Sequence, residues 1–339
     1  MSSYRDINYA IRPAKNIERK MLSELFQRLI FIDKLENYRY IGFGSTYFSD
    51  FEIFHRNLNI SKMISIEGNG TDKLRFKFNR AFSCIDIKFF QSDIILPKLK
   101  YQEKDIIWLD YDKALKESIF NDIDTVVSKV QPGSVILIST NVETPRFPLC
   151  EKEKKDPKIR KEKTIQGLEQ LNLSLGNKLN IKDEISPKNE SSILKGWNFA
   201  KKCRELIDNQ IKYSLSCREI AEKRNLKYQQ LFNFHYDDDA RMLTVGGIIL
   251  DSETNEKATR CNFSDLHFFR DDERVYYIDP PNLTYREIKY LNKYMSLNNI
   301  NKIPRDDADN EIDKIVPMKD IEKFQKIYRY FPTFSESNL

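Results

Sequence analysis

The sequence is poor in cysteine, and the cysteines that it has are not paired. Only five of the 339 residues are cysteines, their number is odd, and no two of them form a CxxC spacing. Neither a disulfide framework nor a zinc site is expected from that pattern. Unpaired cysteines are typical of a reducing compartment, so we expect a cytoplasmic protein.

Long apolar runs are also missing. No window approaches the ~18 uncharged apolar residues that a membrane-spanning helix needs, so no membrane association is expected. Residues 1–6 do not have the apolar core of a signal peptide. Hydrophobic residues nevertheless make up 40 % of the chain and aromatic residues 12 %. That content is enough for a buried core, and it excludes global disorder.

A strong excess of one charge is missing too. The chain carries 56 Lys and Arg against 51 Asp and Glu, a formal net charge of +5. In a chain of this length, such a small excess does not by itself indicate a nucleic-acid-binding protein. We therefore expect no tight binding to RNA or DNA.

The chain does contain a series of short apolar runs, and each of the first four ends in glycine or an acid. The runs predict buried strands over residues 38–43, 62–67, 85–90, 105–110 and 134–139. Helices are predicted between them, over residues 49–58, 71–82 and 114–130. This alternation favours a parallel, doubly wound α/β sheet. The carboxyl ends of such strands converge on one crevice, where ligands bind.

Two features of these strand ends indicate a ligand. Gly42-x-Gly44 follows the first strand, and glycine lets a backbone approach a ligand without a Cβ in the way. Glu67 ends the second strand, close to the ~20-residue offset at which an acid binds ribose hydroxyls. The simpler alternatives are that the glycine pair only permits a tight turn and that Glu67 is a solvated acid. Taken together, the features make a nucleoside-bearing cofactor the leading hypothesis.

The remaining segments are predicted as additions to this sheet. An amphipathic helix is predicted over residues 16–34, with Asn16 as its N-cap. Further elements are expected as helices at 197–211 and 220–231, a β-hairpin turning at Asp237–Asp239, and tail helices at 284–295 and 319–330. We divide the chain into an N-terminal helical lead (1–37), a cofactor-binding core (38–150), a helical insertion (151–229), the closing hairpin with the segment after it (230–281) and a helical tail (282–339).

The order of five parallel strands and a closing antiparallel hairpin resembles that of the class I S-adenosylmethionine-dependent methyltransferases. More narrowly, Asn8–Lys20, Tyr38–Phe51 and Trp108–Asp112 are similar to blocks of a bacterial family described as putative O-methyltransferases. The resemblance covers residues 5–142 well and the rest loosely. It implies a Rossmann-like methyltransferase sheet with a helical insertion and a helical tail. It also implies S-adenosylmethionine as cofactor and methyl transfer to an oxygen or nitrogen of an unidentified acceptor.

The resemblance also implies which residues bind the cofactor. Gly42 and Gly44 would face its methionine part, Glu67 its ribose, Ser92 and Asp93 its adenine, and Asp110 the reaction site. Ser45 is a further cofactor-binding candidate, and Asp110 also counts among the cofactor-binding residues. The sequence departs from the usual pattern at two points. Tyr40 stands where an acid normally precedes the first glycine, and Thr46 or Tyr47 replaces the third glycine.

Acceptor chemistry is predicted between two polar groups of residues. Asp110 and Asp112 flank an aromatic residue after the fourth strand, and Arg12 and Lys15 belong to a basic cluster at the start of the first helix. These four are the candidate catalytic residues, because Arg and Lys bind carboxylates and phosphates and acids orient or deprotonate an acceptor. The alternatives are that Asp112 caps a following helix and that the basic cluster is a solvated helix face. His55 is more simply a core or surface histidine.

Two other functions stay open at this point. The altered glycine loop is compatible with a non-catalytic cofactor-binding or interaction protein on the same fold. A nucleic-acid methyltransferase is the other alternative, although no Asn/Asp-Pro-Pro-Tyr motif follows the fourth strand. Large aromatic residues of the insertion and tail predict a homodimer or a hetero-complex. The alternative is that these aromatic residues form the core of a small accessory layer. They are Trp197, Tyr285, Tyr290, Tyr294, Phe324, Tyr328, Tyr330 and Phe331.

Overall fold

One sheet of eight strands organises the molecule. The computed structural model describes residues 12–68, 72–145, 157–180, 196–295 and 315–332. The strands are β1 Arg39–Gly42, β2 Lys62–Ile66, β3 Ile85–Lys88, β4 Asp105–Ala114, β5 Val135–Asn141, β6 Lys227–Asp237, β7 Arg241–Leu250 and β8 Tyr276–Ile278. Their order across the sheet is β3-β2-β1-β4-β5-β7-β6-β8.

The strand directions confirm the fold predicted from the sequence. Strands β1 to β5 are parallel to one another, and β7 runs antiparallel to both β5 and β6. β6 and β7 are the predicted closing hairpin. β8 pairs in parallel with the far side of β6 and was not predicted. A strand of three residues is too short to show a period in the sequence.

Helices cover both faces of the sheet. They are α1 Pro13–Gln27, α2 Ser49–Leu58, α3 Lys73–Phe78, α4 Ser92–Ile95, α5 Glu117–Val127, α6 Pro157–Ser174, α7 Asn198–Glu222, α8 Ser252–Arg260, α9 Tyr285–Asn292 and α10 Met318–Ile327. Alternate residues of β4 point to opposite faces: Trp108 packs in the core with α1 and α2, and Leu109 in the core with α5 and α7. Both faces are therefore dry, which is why the strands are continuous apolar runs in the sequence.

Two helix predictions are wrong in their bounds. α1 begins at Pro13 with Arg12 as its N-cap, so Asn16 is not the cap. Proline is favoured at the first helical position because its missing N–H is one that has no partner inside the helix anyway. The two helices predicted at 197–211 and 220–231 are instead the single helix α7, and Lys227 already opens β6. The helix predicted at 220–231 fails because its second half pairs with β7 as a strand, and no local sequence pattern shows that pairing.

The aromatic residues of the tail mostly build an accessory core. Tyr290, Tyr294, Phe324, Tyr328 and Phe331 pack in a third apolar cluster with α9 and α10. Tyr330 joins the main core, Trp197 stacks on His235, and Tyr285 is half exposed. The predicted oligomer and the division into segments stay predictions. In the described part of the chain, no helix has the length and apolar character needed to cross a membrane.

Candidate functional site

A cavity of about 490 Å³ opens at the carboxyl ends of β1, β2 and β4. This is the edge at which a doubly wound sheet binds its ligands. Seven of the predicted site residues line the cavity: Gly44, Ser45, Glu67, Ser92, Asp93, Asp110 and Asp112. The other three, Gly42, Arg12 and Lys15, are not part of its wall.

Glu67 lies beneath the glycine loop in a close-fitting arrangement. Its Oε1 accepts a hydrogen bond from Ser65 Oγ at 2.6 Å, and only 5 % of the residue is exposed. A Cβ built on Gly44 would lie 2.2 Å from Glu67 Oε1 and 2.2 Å from Ser65 Oγ. A side chain at position 44 would therefore displace the Glu67 carboxyl group and the Ser65 hydroxyl. Burial raises the pKa of Glu67 to about 8, although the hydrogen bonds from Ser65 and the Gly44 backbone act to lower it.

Tyr40, which stands where an acid is usual, contacts an acid from another element. The Tyr40 hydroxyl donates a hydrogen bond to the buried carboxylate of Asp50, at the start of α2. Burial raises the pKa of Asp50, and the positive charge of Arg19 opposes that shift. Asp50 and Arg19 both line the cavity. A carboxylate and a guanidinium therefore lie on the wall below the glycine loop, although neither stands in the glycine motif itself.

A bulge at the end of β4 shapes the next part of the wall. Asp110 pairs with Ser139 of β5, and the register then shifts until Ala114 pairs with Asn141. The residues of the bulge, Tyr111, Asp112 and Lys113, all line the cavity. Bulges of this kind re-aim side chains next to active sites. Asp112 lies within the strand, so it does not cap a helix.

Lys15 lies behind Asp110 and not in the cavity. Its Nζ is 2.9 Å from Asp110 Oδ1, 2.9 Å from Glu18 Oε2 and 3.2 Å from the Tyr236 hydroxyl, and it lies 4.3 Å from the centre of the Trp108 ring. Burial opposes the charge of Lys15, but the two carboxylates outweigh it and raise the pKa of Lys15 well above its ordinary value. A lysine ammonium has three N–H donors. Protein oxygens surround all of them, so little is left for an acceptor.

The start of α1 is anchored to the turn between β6 and β7. The backbone N–H of Lys15 donates to Asp238 Oδ2 at 2.9 Å, and Arg12 Nη2 lies 3.6 Å from Asp239 Oδ2. The acidic turn therefore binds the helix N-terminus, where negative charge is favourable. This contact places Lys15 and Asp110 together, while Arg12 stays with the turn.

A hydrogen-bonded group lies at the other end of the cavity, where β3 ends. Ser92 Oγ and the Tyr111 hydroxyl both donate to Asp122 Oδ2, each at 2.5 Å. Asp122 is 3 % exposed, and burial raises its pKa against these two bonds. Phe43 packs edge-on against Tyr111 with the ring centres 5.0 Å apart. Asp93 also lines this end but is exposed to solvent.

The cavity has more acids than bases. Six carboxylates and three cationic side chains line it among the described residues, the acids being Asp50, Glu67, Asp93, Asp110, Asp112 and Asp122 and the bases Arg19, Lys113 and Lys116. The glycine loop itself, residues 42–48, carries no positive charge. Within the part of the chain that the structure describes, no group of acids, histidines and cysteines could hold a metal ion. His55 is not part of the wall: its Nδ1 lies 2.8 Å from the Ile60 carbonyl, and its ring packs on Phe82.

Sequence reasoning missed several residues of this wall, among them Arg19, as a residue of the cavity, and Asp50, Tyr111 and Asp122 as ligand-facing side chains. One signal was available for Asp122. It lies on the face of α5 that Ile119 and Ile123 bury, and an acid on an apolar helix face needs a partner. Asp50 gave the same signal, because Phe54 and Leu58 lie on its face of α2. Arg19 gave a weaker one, because it stands between Glu18 and Lys20 in a charged stretch.

Comparison with known proteins places the chain in a family. A family model described as "Putative O-methyltransferase" matches residues 7–339. A search of curated proteins finds no match. Among solved structures, the O-methyltransferase TomG from Streptomyces achromogenes in complex with SAM is 11 % identical, with 69 % of this chain and 80 % of that chain covered and a TM-score of 0.35. The O-methyltransferase from Bacillus cereus in complex with SAH is 10 % identical, with 73 % and 86 % covered and a TM-score of 0.35.

Proposed function

The chain belongs to this putative O-methyltransferase family, and from that premise we propose that it transfers a methyl group from S-adenosylmethionine to an oxygen of an acceptor. A nitrogen acceptor is the alternative within the same chemistry. When bound, S-adenosylmethionine supplies a methyl group on a positively charged sulfonium, and transfer is an in-line displacement at that carbon. The protein then contributes mainly alignment and electrostatics.

The observation that carries the proposal is the charge of the cavity. Its described wall has six carboxyl groups against three cations, so acids outnumber bases even when the Glu67 carboxyl group is protonated, and its glycine loop has no Lys or Arg. A wall of that kind suits a ligand with a net positive charge, such as a sulfonium. It would repel the pyrophosphate of a dinucleotide, which needs donors and positive charge at the glycine loop. The cavity therefore favours S-adenosylmethionine over NAD, which the glycine pair alone does not decide.

The wall also has a residue for each polar part of the cofactor. Glu67 lies below Gly44, where a carboxylate accepts hydrogen bonds from ribose hydroxyls. The guanidinium of Arg19 would bind the methionine carboxylate, and the carboxylate of Asp110 would bind its ammonium group. Lys15 occupies only Oδ1 of Asp110 among the described residues, so Oδ2 is left for a ligand.

We assign acceptor chemistry to the bulge of β4. Asp112 is exposed to solvent on the cavity wall, beside the more buried Asp110. A carboxylate in that place is suited to orient an acceptor hydroxyl and to take its proton as the oxygen is methylated. Lys15 holds Asp110 from behind, and Arg12 holds the turn between β6 and β7. Both therefore support the acceptor side without reaching into the cavity.

Isothermal titration calorimetry tests the proposal directly. We expect wild-type protein to bind S-adenosylmethionine and its demethylated product, S-adenosylhomocysteine, and not to bind NAD. The Asp110→Asn variant should lose affinity for both compounds, because each carries the ammonium group assigned to Asp110. If wild type binds neither compound at millimolar concentration, the proposed function is wrong. If it binds NAD in their place, the fold assignment survives and the function does not.

A further inference from the structure

Glu18 of α1 is a fully buried acid that lies behind the cavity wall and is not part of it. Its Oε2 is 2.9 Å from Lys15 Nζ. Among the described residues, no cation except Lys15 lies within ion-pair distance of Glu18. A buried ion pair is costly to desolvate, and apolar residues of the same volume often give equal stability. Stability alone therefore does not account for an acid at this position.

Lys15 is shared between Glu18 and a carboxylate that does reach the cavity. Its Nζ also lies 2.9 Å from Asp110 Oδ1. One ammonium group balances only one of the two carboxylates, so the three side chains together carry one net negative charge. Asp110 is the only one of the three on the cavity wall. The excess charge is therefore felt in the cavity, and more strongly because the rings of Trp108 and Tyr236 keep water away from the ammonium group.

We propose that Glu18 is the counter-ion of Lys15 and thereby leaves the negative charge of Asp110 to the ammonium group of the cofactor. The inference rests on the proposed function, because it takes Asp110 as the residue that binds this group. Without the charge of Glu18, Lys15 would neutralise Asp110, and the ammonium group would have no net charge opposite it. Glu18 thus acts on the ligand through two other side chains and does not touch it.

Substitutions that change the charge of these three side chains test the proposal. Glu18→Gln keeps the size of the side chain and removes the net negative charge. Calorimetry should show that this variant binds S-adenosylhomocysteine at least about tenfold more weakly than wild type. The double variant Lys15→Met, Glu18→Gln again leaves one net negative charge, at Asp110, so it should regain most of the lost affinity. Glu256→Gln is the matched control: it removes an exposed acid on α8 and should leave the affinity unchanged.

The outcomes separate this inference from the proposed function. If wild type binds neither S-adenosylmethionine nor S-adenosylhomocysteine, both fail. If wild type binds and Glu18→Gln binds equally well, only the role of Glu18 is refuted. A double variant that binds no more tightly than Glu18→Gln would also refute it, because Glu18 would then act through packing and not through charge.

The double variant also serves if Glu18→Gln does not fold. Replacing both members of a buried ion pair is much less destabilising than removing one of them. We expect this variant to fold and to bind S-adenosylhomocysteine within about threefold of wild type. A folded double variant that no longer binds the compound would overturn the proposal.

Discussion

The buried carboxylate of Glu67 makes a prediction about pH that can be worked through in detail. Burial raises its pKa from 4.5 to about 8 in the protein without ligand. At neutral pH the side chain is therefore mostly protonated. Accepting two ribose hydroxyls favours the ionised form, so ligand binding must release this proton. The affinity for S-adenosylhomocysteine should rise with pH, by at most about tenfold per pH unit below pH 8, and then level off.

The same pKa shift also affects the stability of the protein, which should fall with pH where the affinity rises. The folded-state pKa lies above the unfolded value, so folded protein holds a proton that the unfolded chain releases. The stabilisation is complete below about pH 4.5 and is lost as the pH rises to about 8. Each pH unit in that window corresponds to about 1.4 kcal/mol. Glu67→Gln removes the titration, so its free energy of unfolding relative to wild type should increase from pH 5 to pH 8.

Two assays test this reasoning on the same samples. Calorimetry at pH 6, 7 and 8 measures affinity and, with buffers of different ionisation enthalpy, the number of protons released. Urea unfolding over the same range measures stability. The control is Glu256→Gln, because Glu256 is an exposed acid on α8, outside the cavity wall. A wild-type affinity that does not change with pH, or the same slope in Glu67→Gln, would refute the role given to Glu67.

Three further predictions concern packing, charge and assembly. Gly44→Ala should reduce cofactor affinity at least tenfold (~1.4 kcal/mol or more), because the added Cβ displaces Glu67 and Ser65; unchanged binding in calorimetry would contradict this. Lys15→Met should cost about 3–5 kcal/mol of unfolding free energy, since it leaves the buried Glu18 carboxylate unpaired and removes the partner of Asp110. Lys20→Met on the same helix should cost less than about 1 kcal/mol; equal losses in urea unfolding would show that Lys15 is not a buried ion-pair partner. Light scattering should show a dimer or larger assembly, and a monomer across micromolar concentrations would reject that expectation.

The candidate site could be predicted only where one segment carries the whole signal. Gly44 and Glu67 follow apolar strands directly, and the parallel sheet brings such strand ends to one edge whatever the loops contain. The structure places both on the cavity wall. Lys15 shows the opposite case. Its basic neighbours indicated a ligand clamp, but folding places Asp110, Glu18 and Tyr236 around its ammonium group.

The sequence by itself determined the five parallel strands, the closing hairpin and the glycine loop, because hydrophobic periodicity and turn residues are local properties of the chain. The tertiary structure decided which distant side chains complete the cavity. Arg19 of α1, Asp50 of α2 and Asp122 of α5 lie on different helices, and their meeting depends on how those helices pack on the sheet. β6 likewise begins at Lys227, in a segment with helical periodicity. Pairing with β7 satisfies its backbone and outweighs the weak local preference, as tertiary contacts commonly do.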